Sequence, residues 1–168
     1  MTADVSATDS GLPDRQYGFV SVMNVLLHVT DDDLFRQALA NVAQLVRPGG
    51  HLFLVEPVLL DPTDERLAKP EQHSRARPLA AYREPLLAAG LELITLQGAV
   101  AVANNPIEAK SAAAYRRYQK WWSWVARTSK TEPNRIRRLG TLLLILDRAA
   151  ALLAGAAPSS KILLLRRP

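Results

Sequence analysis

Two short apolar runs of strand character enclose a stretch of helical period, and this strand-helix-strand order constrains the fold more than any other feature of the sequence. Tyr17 to Met23 (YGFVSVM) is a nearly continuous apolar run behind the turn residues Gly11-Leu12-Pro13-Asp14. It predicts a buried parallel strand. Thr30-Asp31-Asp32-Asp33 offers a capping hydroxyl, an acid three residues later, and carboxylates where the positive end of a helix dipole lies. A helix is therefore expected to start at Thr30. Leu34, Phe35, Ala38, Leu39, Val42, Leu45 and Val46 recur about every 3.6 residues. Pro48-Gly49-Gly50 is expected to stop that helix. His51 to Glu56 (HLFLVE) then predicts a second strand, ended by Pro57, which has no N–H for a ladder.

Beyond it, Pro57 to Lys69 is rich in proline and acids and reads as an irregular connection. Leu79 to Ala89 has helical composition and stops at Gly90, with Pro85 inside it predicting a short first turn or a kink. Leu91 to Val102 alternates like a strand. Glu108 to Arg127 and Pro133 to Ala154 are helical, and Ser160 to Arg166 predicts a last strand. This order argues for right-handed crossovers and a parallel sheet covered on both faces, with the concluding strand free to enter antiparallel.

Composition narrows the class. At 168 residues, 48% hydrophobic and 22% charged, the chain is expected to form one globular domain. Without cysteine there is no disulfide framework, thiolate metal site or cysteine nucleophile, and no metal is expected. Residues 1–14 have no basic start followed by an apolar segment, so no secretory signal is read there and a cytoplasmic location is expected. The longest apolar run, Leu139 to Gly155, is interrupted by Asp147 and Arg148 and falls short of the roughly 20 residues that span a bilayer. A net charge of +5 favours anionic partners only weakly.

YGFVSVMNVLLHV, some fifteen helical residues, and LVRPGGHLFLVEP together resemble the post-cofactor half of the class I S-adenosylmethionine-dependent methyltransferases of the type 11/12 kind. HSRARPLAAYREPLLAAGLELI is similar to the helix and sixth strand of that family, and PSSKILLLRRP to its seventh. The resemblance covers nearly the whole chain. It implies an α/β fold: a partial doubly wound, Rossmann-like sheet of strands four to seven in one domain over residues 1–168, with a helical insertion at about 108–156 before the last strand. It implies S-adenosylmethionine as cofactor and methyl transfer to a small molecule, such as a sugar or a lipid-linked precursor. The eight glycines include no Gly-x-Gly loop, and Gly18 stands where the family usually carries an aspartate.

By the same resemblance, Asp4 and Val5 fall at the family's adenine-binding position, and Asn24 flanks the cofactor. Ligands of such sheets bind beyond the carboxyl ends of the strands. That edge carries Met23, Asn24, His28 and Glu56. Histidine ordinarily titrates near neutrality, which makes His28 the candidate for removing a proton; the plainer reading has it packing beside the Thr30 helix. Glu56 reads as a solvated acid at a strand end. Arg75 and Arg77 offer planar forks to a carboxylate or phosphate of an acceptor, against the alternative of a solvated loop.

Tyr115, Tyr118, Trp122 and Val125 share a helical stripe with Arg116, Arg117, Lys120 and Arg127 interleaved. Such a stripe suits the core, a lid over an acceptor, or an anionic membrane surface. Nucleic acid is not expected, since no recognition motif accompanies these residues. Two rival readings stay open. One is a non-catalytic half that pairs with itself or another chain through the strand near 17–23; the other is a basic membrane-surface module.

Overall fold

A computed structural model describes residues 4–60, 73–101, 103–109, 111–131, 133–154 and 159–168. Within the last helix, side chains are described at 134 and 140–150. The acidic connection expected from Pro57 to Lys69 lies outside the described residues from position 61 onward. The chain divides into two compact units, Met1–Leu96 with Ile162–Pro168, and Gln97–Lys161.

The first unit holds the predicted strand-helix-strand. β1 (Tyr17–Met23) pairs in parallel with β2 (Val46–Glu56), and α1 (Asp32–Gln44) connects them. The helix starts one residue later than expected. Its cap is Asp31, whose Oδ1 accepts the N–H groups of Asp33 and Leu34 at 2.9 Å each. A carboxylate at that position satisfies two orphan donors and meets the helix dipole as well. Pro48-Gly49-Gly50 does not stop the helix, which ends at Gln44; the three residues lie inside β2. Glycine is needed there for another reason. A Cβ at Gly50 would come within 2.8 Å of the Arg47 carbonyl oxygen and 3.0 Å of that of Tyr17, at the point where the β1 and β2 register shifts.

β3 (Val58–Leu59) pairs with β4 (Arg77–Pro78), which leads into α2 (Leu79–Ala88). Pro85 stays within α2, and Gly90 follows it at a φ of 79°. The main sheet is completed by β5 (Glu92–Gly98) and β6 (Lys161–Arg166) in the order β1-β2-β6-β5. Gly49 N–H donates to the Arg167 carbonyl and Arg167 N–H to that of Gly50, which makes β6 antiparallel to β2.

One face of the sheet carries the core. Leu52, Leu54, Leu163 and Leu165 meet Phe35, Leu39 and Val42 of α1 and Tyr82 and Leu86 of α2. The expectation of a buried first strand covered on both faces is corrected. β1 is an edge strand in which only Val22 is buried, and Phe19 and Met23 are 60% and 59% exposed. A strand with one ladder neighbour cannot share its apolar side chains across both faces and both edges, as an interior parallel strand does.

The second unit contains α3 (Ala112–Thr131) and α4 (Pro133–Ala154). In it Asp147 of α4 is buried, and its Oδ1 accepts the N–H groups of Ala101 and Ala103 at 3.0 and 2.9 Å. The acid that interrupts the apolar run of the sequence thus caps a loop.

Candidate functional site

The carboxyl ends of β1 and β2 gather most of the chemistry that the sequence singles out. β1 ends at Met23, and Asn24 follows in the left-handed region at φ 53°. Non-glycine residues seldom adopt that conformation, and asparagine tolerates it better than most. Asn24 N–H still donates to the Val55 carbonyl at 2.9 Å, so the two strand ends are tied there. The chain then makes a single 3-10 turn, Leu26–His28, before α1.

His28 is exposed, and its Nδ1 lies 3.0 Å from the His73 carbonyl oxygen. A carbonyl can only accept, so Nδ1 carries the proton and, in the neutral ring, Nε2 is left as an acceptor. That tautomer presents a basic nitrogen away from the backbone.

Glu56 is not the solvated strand-end acid that the sequence suggests. It is fully buried, and its carboxylate accepts the N–H groups of Val25 and Leu26 at Oε1, both at 3.0 Å, and of Leu27 at Oε2, 3.2 Å. Burial pushes its pKa above the ordinary carboxylate range, opposed by these N–H groups and by the charge of His28. Nothing in the sequence marks Glu56 as buried except the strict alternation of Leu52, Leu54 and Glu56 on one face of β2.

Arg75 and Arg77 both reach the start of α1. Arg75 Nη1 donates to Asp32 Oδ1 at 3.0 Å and to the Thr30 carbonyl at 3.1 Å, with its side chain half exposed. Arg77 is buried over the Phe35 ring, 4.0 Å from its centroid. Its Nε donates to Asp32 Oδ1 at 3.1 Å, and its Nη2 to the carbonyls of Thr30 and Asp31 at 2.9 and 3.2 Å. Among the described residues its Nη1 is buried without a partner, as is the Tyr82 hydroxyl, whose ring packs edge-on against Phe35. Burial of Asp32 is outweighed by the Arg77 hydrogen bond and the charges of Arg75 and Arg77, which hold its carboxyl below the usual range.

Asp4 and Val5 are not brought to this place. Asp4 Oδ1 accepts the N–H and hydroxyl of Ser6, at 2.9 and 2.7 Å. The carbonyls of Val5 and Ala7 each accept from Asn41 Nδ2 at 2.8 Å. Asn41 lies in the third turn of α1, roughly 13 Å along the axis from its start. This segment therefore sits toward the amino end of β1, while Asn24 and His28 mark its carboxyl end. No group of acids and histidines able to hold a metal occurs among the described residues.

No family model matches the sequence, and no curated protein matches it. Solved structures do. The O-methyltransferase from the trans-AT PKS multienzyme of Brevibacillus brevis, in complex with S-adenosyl-L-homocysteine, superposes with a TM-score of 0.51 at 11% identity, over 99% of this chain and 48% of its own. The cyclase SpnF gives 0.49 at 16% identity, over 99% and 54%. The complex of the Haloferax volcanii Trm112 methyltransferase activator with the putative methyltransferase gives 0.49 at 14% identity, over 99% and 60%. The chain thus spans about half the length of the solved structures it matches. What the likeness establishes is the fold, an α/β sheet of the Rossmann-like methyltransferase type.

S-adenosylmethionine is the cofactor that this resemblance implies, and the residues carried over for it do not fit it as a set. Asn24 stands at the ligand end of the sheet, whereas the Asp4 carboxylate is folded onto Ser6 and its neighbours are bonded to the third turn of α1. Of the positions carried over, Asn24 alone stands at the carboxyl end of β1.

Proposed function

We propose that this chain forms the acceptor-side part of an S-adenosylmethionine-dependent methyltransferase that acts on a small molecule. The observation that carries the reading is the convergence of Asn24, His28 and the Glu56-bound turn at the carboxyl ends of β1 and β2. In doubly wound sheets that end is where ligands bind. The roles proposed for the chain's own residues are these. Asn24 exposes backbone in a left-handed bend beside the ligand. His28 Nε2 takes the proton of an acceptor hydroxyl or amine, and its Nδ1–H bond to His73 fixes the ring. Arg75, half exposed beside Asp32, is the fork open to an anionic acceptor. Methyl transfer is an in-line displacement, so alignment and exclusion of water supply most of what such a site must do. The remaining cofactor contacts are to be sought outside this group of residues.

Calorimetric titration of the purified chain with S-adenosylmethionine tests the reading. Saturable binding below millimolar cofactor, weakened by Asn24→Pro and unaffected by His28→Ala, would support the reading through contacts other than Asp4 and Val5. Absence of heat at millimolar cofactor, together with no transfer of labelled methyl to any acceptor, would sink it.

A second reading is favoured by one observation in the other unit. α4 exposes Leu142, Leu144, Ile145 and Leu146 at 49–69%, and α3 exposes Arg116, Arg117, Lys120 and Arg127 with Trp124. Apolar and cationic surface on one pair of helices suits an anionic lipid surface. No helix among the described residues is long and apolar enough to cross a membrane. Flotation with phosphatidylserine vesicles, lost in Leu142→Ser/Ile145→Ser, is the outcome that this reading requires.

A further inference from the structure

The backbone between β1 and α1 has little internal support. Within it, His28 N–H donates to the Val25 carbonyl and Val29 N–H to that of Leu26, both at 3.1 Å. The first donors of any helical turn, here those of Val25, Leu26 and Leu27, have no partner inside it. All three turn onto the Glu56 carboxylate. The side chain that collects them comes from the last residue of β2, is fully buried, and stands beside the rigid pair of strand ends joined by Asn24 N–H and Val55. Both of its oxygens are used. Neither a shorter side chain nor an amide reproduces this, because a glutamine would set its NH2 against at least one of the three N–H groups.

We propose that Glu56 is the positioning residue of the site: by gathering three consecutive backbone donors it fixes the turn that presents the left-handed Asn24 on one side and the His28 imidazole on the other. The role given to His28 rests on the methyltransfer reading, but the positioning itself does not. A carboxylate with charge-assisted bonds to three N–H groups is a stronger anchor than three separate neutral acceptors. It also sets where the His28 ring can lie, since Nδ1 must reach the His73 carbonyl from a backbone that Glu56 holds.

The test is nuclear magnetic resonance on the full, isotope-labelled chain without any ligand. In the wild type the amides of Val25, Leu26 and Leu27 are expected to exchange with solvent at least tenfold more slowly than exposed loop amides, and His28 to show the Nδ1-protonated tautomer. Glu56→Gln is expected to erase both signatures, giving an Nε2-protonated majority as in free imidazole; Glu56→Asp should keep part of each. Rapid exchange of the three amides in the wild type would overturn the proposal. So would folded Glu56→Gln and Glu56→Asp chains with unchanged His28 tautomer. If neither variant folds, Glu56 serves stability alone and the positioning role is rejected. Because none of these readouts involves S-adenosylmethionine, a wild type with the expected signatures and no cofactor binding would leave the positioning intact and remove only the methyltransfer reading.

Discussion

Arg77 shows how far a residue type can be read and where the reading ends. The sequence gives an arginine beside a second one, and a planar fork is the right expectation for either. Only the fold decides what the fork meets. Arg77 is enclosed between Phe35 and the start of α1, with its donors on Asp32, Thr30 and Asp31, while Arg75 on the same partners stays half exposed. Arg77→Ala removes packing, hydrogen bonds and a buried charge at once, and is expected to cost about 3 kcal/mol. Arg75→Ala should cost under about 1 kcal/mol, as exposed pairs do. Urea unfolding of the two variants checks the contrast. Asp32 supplies a pH dependence of known sign. Its folded pKa is lowered, so its contribution is complete above the unfolded value near 4 and fades as the pH drops through the lower folded value. The stability gap between wild type and Asp32→Asn should therefore narrow steadily between about pH 5 and pH 2; a gap constant over that window would contradict the pairing.

At the scale of elements, periodicity carried most of the information. The strand-helix-strand unit, the helix before Gly90, the long final helix and the last strand all stand close to where the pattern puts them. The misplacements have local causes. Thr30 and Asp31 are both cap residues, and only the folded chain shows which one turns its oxygen to the helix. Pro-Gly-Gly reads as a helix stop, yet the glycine serves a close strand contact. The site was legible as an end of the sheet but not as a set of bonds, because a buried Glu56 and a solvated one have the same letter. Lys161 in β6 makes the same point: it is fully buried, paired with Glu108, and donates to the Ser159 carbonyl. Burial pushes its pKa down, opposed by Glu108. Lys161→Met removes this buried pairing and is expected to lower stability by roughly 3 kcal/mol. Lys161→Met/Glu108→Leu should recover much of the loss in thermal unfolding.

At the scale of the whole molecule, the open side of β1 matters most. Phe19 and Met23 are exposed on a strand whose second edge has no ladder partner among the described residues. Such an edge invites pairing. Sedimentation velocity over a hundredfold range of concentration is expected to show reversible association, reduced by Phe19→Lys/Met23→Lys. A sedimentation coefficient that stays constant over the range in the wild type would show the edge to be protected.

The order of strands in the sheet also bears on how the chain is made. β6 lies between β2 and β5, yet it is encoded roughly a hundred residues after β2. While a ribosome is still extending the chain, β1, α1 and β2 can assemble, but the place beside β2 stays vacant until residues 161–166 have emerged. Between the emergence of β2 and that of β6 the nascent sheet is therefore incomplete, at a translation rate of roughly 5–20 residues per second. Exposure of the β2 edge to wrong partners until β6 has emerged is a cost that this topology imposes whatever the protein goes on to do.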